Sequence, residues 1–175
     1  MNTTQLKHPV HFRSWTESDM NAVNSAESFE QLGEIAVHLL WRFPPYLHMS
    51  SGPMTTGGVG SLEGNLLVHK AIIELLYDEI GLQMWSQLPF EDRMAVLSRE
   101  WHRNHPQEMY CMPLLEGFYT RVFSTRRIVS LQMIYGWQTS RGATWEADQC
   151  RKLGIRVNEL PVEFTERAMG RARYS

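Results

Sequence analysis

The run from Ile128 to Tyr135, IVSLQMIY, narrows the choice of fold more than any other stretch of this chain. It is apolar and β-branched almost throughout, as a strand covered on both faces must be, and such strands belong to parallel sheets. Parallel strands need long crossovers, most often helical, so helical periods should flank the run. They do. Ser28 lies three residues before Gln31 at capping-box spacing, and Phe29, Leu32, Ile35, Ala36, Leu39 and Leu40 recur at helical intervals. A helix is predicted from about Phe29 to Arg42, stopped by Phe43-Pro44-Pro45 because a residue preceding proline is pushed out of the helical region.

Tyr46 to Ser50 reads as the first strand. A helix is predicted over residues 62–80, with Leu66, Ile73, Leu76 and Ile80 on its apolar face and Gly81 closing it. Leu82 to Leu88 reads as a second strand, and Pro89, Glu91 and Asp92 open a helix that runs to about Arg103. His105-Pro106 ends it. Met112 to Thr125 is the next helix, with Leu115, Phe118, Val122 and Phe123 inward. After the IVSLQMIY strand come a loop over residues 136–142, a helix from Ala143 to Leu153 closed by Gly154, a strand at 155–157, and a helix from Val162 to Arg173. The result is an α/β domain with a parallel sheet and helices on both faces. Residues 1–24 are polar and without period, an irregular arm. The division is 1–45 for arm and first helix, and 46–175 for the α/β domain.

The length, 175 residues, suits one domain of that kind. Lys plus Arg number 17 against 19 for Asp plus Glu, which argues against a nucleic-acid polymer as the main partner but allows a local pocket for one phosphate. Two cysteines, Cys111 and Cys150, are too few for a disulfide framework or a zinc site of cysteines alone. No apolar run approaches the ~20 residues of a membrane span, and the first twelve residues lack the apolar centre of a signal peptide. A cytoplasmic protein without membrane partners is expected.

In a parallel sheet, ligands bind at the carboxyl ends of the strands, and two loops fall there. Ser50 to Gly60 carries four glycines and leads into a helix, a setting that attracts anions. Gly58, Gly60 and Gly64 imitate a dinucleotide fingerprint at the wrong spacing, so an NAD(P)-dependent oxidoreductase is a weak third reading. The second loop, Trp137 to Ala143, opens a helix whose inner face should carry Ala143, Ala147, Cys150 and Gly154. Glu146 borders that face, four residues before Cys150. A carboxylate turned inward without a partner costs several kcal/mol, so it implies a use. The helix N-terminus should help hold it ionised, as suits a nucleophile or base. The alternative is a Glu146 that merely favours the helix start on an exposed face.

SSGPMT after the first strand, with IYGWQTSRGATWEADQCRKLGI before the last, resembles the nucleoside 2-deoxyribosyltransferase superfamily. The likeness is to its small bacterial and phage branch with a GPMT loop and a GW-x-x-S-x-G-A-x-x-E motif, and it spans about Tyr46 to Leu160. It implies a flavodoxin-like, Rossmann-like fold and cleavage of the N-glycosidic bond of nucleosides or their 5′-monophosphates, with the sugar passed to water or to another base. By the resemblance, Glu146 is the nucleophile that attacks the anomeric carbon. Ser140 and Gly142 hold the 5′-phosphate, with Arg141 between them adding charge, and Gly52, Pro53 and Met54 lie against base and sugar. Trp137, from its ring alone, either stacks on the base or anchors the loop against the core. No cofactor and no metal are implied, and a homodimer or higher homo-oligomer is.

One departure stands out. Relatives place an aspartate just before the strand that precedes the motif, whereas Phe123 to Ser130 contains no acid. Glu116 and Tyr119 are upstream stand-ins at the wrong spacing. A lost general acid forfeits ~10²–10⁴ in rate, so a catalytically silent nucleotide-binding protein is the rival to the glycosidase. Elsewhere, His102 and His105 read as exposed histidines, Cys111 as a buried thiol, Cys150 as core, Trp85 and Trp101 as packing. Arg167, Arg171 and Arg173 read as a solvated face.

Overall fold

The computed structural model describes residues 15–54 and 61–172. Its sheet has four parallel strands, β1 (Leu47–Ser51), β2 (Met84–Trp85), β3 (Ile128–Met133) and β4 (Arg156–Glu159), in the order β2-β1-β3-β4. This is the doubly wound α/β architecture read from the sequence. The chain leaves β1 toward β2 on one side and reaches β3 on the other, so the winding reverses between β1 and β3. The strand IVSLQMIY ends two residues early at Met133, with only Val129 less than fully buried among its members.

One face of the sheet is covered by α3 (Leu62–Ile80) and α7 (Val162–Ala172), packed through Val68, Ile72, Leu75, Leu76 and Ala168. The limits of α3 match the predicted ones because both of its stops are chemical. Ser61 accepts the Gly64 N–H at 3.1 Å, and Gly81 leaves the helix at φ 73°. Its buried face differs from the predicted one: Ile80 is exposed and Leu66 half-buried, while Asn65 and His69 point inward. Arg167 and Arg171, two like charges one turn apart on α7, share the Glu79 carboxylate of α3. Arg173 lies outside the described residues.

The other face carries α2 (Phe29–Leu40), α4 (Glu91–Asn104), α5 (Thr120–Ser124) and α6 (Arg141–Lys152). A π-helical segment, Leu114–Tyr119, precedes α5, so the predicted Met112–Thr125 helix is wider in its first half. Its inward residues are the expected ones, with Leu115, Phe118, Val122 and Phe123 all at 0% exposure. The second strand is only two residues long, because Leu88–Phe90 turns as a 3₁₀ helix with Pro89 in its first turn. No described helix is long and apolar enough to cross a membrane.

The polar arm holds a surprise: Glu17–Ser25 is a helix, α1. Thr16 and Asp19 form a capping box, and the Asp19 carboxylate also accepts from the Nη1 and Nη2 groups of Arg42, at 2.8 and 2.5 Å. Arg42 holds the Asp19 carboxyl far below its ordinary range, against the pull of burial. Asp19→Ala is therefore expected to cost about 2 kcal/mol, from a lost cap and a lost bidentate bond, with Arg42 left half in water. A depressed carboxyl stabilises above its unfolded pKa, 3.8, and ceases to do so as pH falls through its folded value. Thermal melts of the two proteins should differ at pH 7 and converge in strong acid. Equal melts at pH 7 would mean that α1 contributes nothing.

Candidate active site

A cavity of about 310 Å³ opens at the carboxyl ends of β1 and β3, where the winding reverses. β1 runs straight into Gly52 and Met54 on one wall, and the Ile134 N–H donates to the Ser51 carbonyl at 2.8 Å to fix the two strand ends together. Their approach is close enough that a Cβ on Gly52 would stand 2.8 Å from that of Ile134. The opposite wall is the start of α6. Ser140 caps it, its hydroxyl accepting the Ala143 N–H at 3.3 Å, and Arg141 stands exposed at the rim with its guanidinium 5.8 Å above the Tyr110 ring. Gly142 is where Tyr110 leans in: a Cβ there would lie 2.5 Å from the phenol oxygen.

Glu146 lines this cavity and is 7% exposed, so the carboxylate does turn inward beside the buried Ala143, Ala147 and Cys150. Gly154 does not share that face; it is exposed beyond the helix end, at φ 72°. The expectation that the helix start keeps Glu146 ionised fails. Glu146 is in the second turn, where the dipole has faded, and burial pushes its carboxyl up to about 8. The Ser51 hydroxyl beside it pulls the other way, although its geometry falls short of a full hydrogen bond.

Of the sequence-derived site residues, the cavity brings together Gly52, Met54, Ser140, Arg141, Gly142 and Glu146. Pro53 is adjacent but faces the other way, toward Asn65 and His69 of α3. Trp137 is no wall of the cavity. It is buried in the core, with Arg151 5.7 Å from its ring, because the 3₁₀ turn Trp137–Thr139 swings it under the loop. Gly58 and Gly60, with the rest of residues 55–60, lie outside the described residues. Of the two stand-ins for the missing aspartate, Glu116 is exposed and away from the cavity, whereas Tyr119 lines it.

Two further groups arrive that the sequence did not assign to the site, Glu91 and Tyr110, and they join Tyr119. Glu91, the first residue of α4, lines the cavity half-buried, and Tyr110 and Tyr119 lie within the field of Glu146. Burial first, then the Glu146 charge, raises the Glu91 carboxyl and both phenols. Both tyrosines are therefore phenols at any physiological pH, able to donate to an ionised carboxylate.

The cavity wall from β1 is braced from behind. Asn65 donates to the Met54 carbonyl at 2.8 Å, and burial drives the His69 imidazole down to about 4, so it is neutral against the Pro53 carbonyl. Among the outlying candidates, His105 stacks on Trp101 with ring centroids 4.5 Å apart, Cys111 and Cys150 are buried, and Trp85 is core. No group of three or more metal-ligating side chains assembles among the described residues. No protein-family model, curated protein or solved structure matches this chain.

Proposed function

We propose that the chain is an N-glycosidase acting on a nucleoside 5′-monophosphate, with Glu146 as the nucleophile. The observation that carries this reading is a buried carboxyl on the wall of a cavity whose rim holds Arg141 and the capped start of α6. Those two ends match the two ends of such a substrate. A phosphate suits an arginine and a helix N-terminus. An anomeric carbon that becomes cationic suits a desolvated carboxylate, which is costly alone and stabilised as the positive charge develops. The cavity is at the small end of the ~300–1,000 Å³ usual for small-molecule sites, large enough for one nucleotide.

In this mechanism the Glu146 oxygen bonds to C1′ as the C1′–N bond breaks, giving a glycosyl ester and the free base. Water then cleaves the ester; a second base in place of water would give exchange. Tyr110 and Tyr119 line the same cavity as uncharged phenols within the field of the Glu146 carboxylate. The test is a screen of ribo- and deoxyribonucleoside 5′-monophosphates for free base, with the corresponding nucleosides alongside. We expect release from a monophosphate, and a KM raised ~10–100-fold by Arg141→Ala through loss of a charged phosphate contact of about 1.5–3 kcal/mol. No release from any of them, by protein that binds a nucleotide, would replace the glycosidase with the binding protein.

A further inference from the structure

We propose that Glu91 is the proton donor to the leaving base, filling from α4 the role for which the segment before β3 has no acid. The inference rests on the glycosidase reading. Among the described residues two carboxyls line the cavity, Glu91 and Glu146, and they come from different helices, α4 and α6. A carboxylate in the first turn of a helix ordinarily serves the helix dipole from solvent. Asp92, next in the chain, is exposed and fills that role, whereas Glu91 is half-buried on the cavity wall, a lining it shares with Met94 and Leu114.

The two carboxyls also sense one another. Burial and the Glu146 charge hold the Glu91 proton well above the ordinary carboxyl range, so when Glu146 is ionised Glu91 retains its own. That is the division of states that a retaining glycosidase needs, one carboxylate and one acid. Glu91 gives its proton to the base nitrogen as the C1′–N electron pair moves onto the base. It then takes a proton from the water that attacks C1′ of the ester, and Glu146 leaves as carboxylate. The sum is nucleotide plus water going to base plus sugar phosphate, with both glutamates restored.

An acid is needed in proportion to how poorly the base leaves. Single-turnover base release would be measured for wild type, Glu91→Gln and Glu91→Asp, on the best nucleotide from the screen and on versions with better leaving groups. For a purine that version is the N7-methylated nucleotide, whose base departs without protonation; for a pyrimidine it is the 5-fluorinated one. We expect Glu91→Gln to slow release of the unmodified base ~10²–10³-fold. Its deficit should shrink to within a few-fold on the N7-methylated nucleotide, or narrow clearly on the fluorinated one, and Glu91→Asp should recover part of the loss. Glu146→Gln should fail on every member of the series. An equal loss by Glu91→Gln across the series, or no loss at all, overturns the donor role while leaving the glycosidase standing. A wild type inert on every nucleotide overturns the glycosidase itself.

Discussion

Glu146→Gln is expected to abolish base release and to stabilise the protein, with the stabilisation visible only above acid pH. On the glycosidase reading, loss of Glu146 should cost at least ~10³ in rate. The stability effect follows from burial. The Glu146 carboxyl is pushed up to about 8 in the folded chain, against 4.5 unfolded. Below pH 4.5 it is protonated in both states and glutamine, its neutral isostere, changes little. Between 4.5 and 8 the unfolded chain releases the proton while the folded chain keeps it, so the wild type loses stability as pH rises. Near 8 the folded group ionises too and the loss levels off. The variant lacks this term, and at pH 8 it should be more stable by about 4 kcal/mol, some 8–16 °C in melting temperature. Removing the Glu146 charge also lets the Glu91 carboxyl fall toward its ordinary range, so the difference between the melting curves against pH reports Glu146 together with its hold on Glu91. The same titration should raise the wild-type kcat/KM from pH 6 toward 8, as the nucleophile ionises. Curves that coincide at every pH would mean that the carboxyl is solvated and ordinary, which removes the physical basis for its role.

A gain in stability from deleting a catalytic group is the expected mark of a site that stores unfavourable burial for use. The sequence makes Glu146 legible for this reason. Ala143, Ala147 and Cys150 define a helix face, and a carboxylate on its edge has no business there in a purely structural helix. Glu91 is illegible by the same logic turned round. An acid in the first turn of α4 looks the same in sequence whether it faces water or a cavity, and only the winding of the sheet brings that helix start to the ends of β1 and β3. Tyr110, in the irregular stretch after His105-Pro106, belongs to no periodic pattern at all. Trp137 misleads because an aromatic beside a binding loop has the same spelling whether it stacks on a ligand or anchors the loop from below. In the fold, α3 is readable to the residue from Ser61 and Gly81. α1 is missed because its buried residues are only Asp19 and Val23, and an ion pair to Arg42, not an apolar stripe, ties it down.

Gly33→Ala is expected to destabilise the chain by about 2 kcal/mol, although helix propensity alone predicts a gain of about 1. Gly33 is in the middle of α2, at the point where that helix meets the π-helical segment. A Cβ there would stand 2.6 Å from the Gly117 carbonyl oxygen and 3.2 Å from the Phe118 Cα. Both are backbone atoms and cannot swing aside, unlike the Arg121 side chain, which is also within reach at 2.8 Å. From the other side, a Cβ on Gly117 would meet that of Phe29 at 2.9 Å, so the two segments touch main chain to main chain. Separating them opens gaps around Phe29, Leu115 and Phe118, and overpacking of this kind costs ~1–3 kcal/mol beyond the propensity gain. Gly170 supplies the control, because a Cβ there meets nothing within 4 Å and its φ is unremarkable for a helix. Gly170→Ala should therefore stabilise by up to ~1 kcal/mol where Gly33→Ala destabilises. The π-helical segment carries Leu114 and Tyr119 into the cavity, so Gly33→Ala should also lower kcat/KM from a position that the substrate never touches. If the two alanine variants melt alike in urea, the close approach of α2 does not hold the segment, and the placement of Tyr119 must depend on its own packing against Phe118 and Phe123.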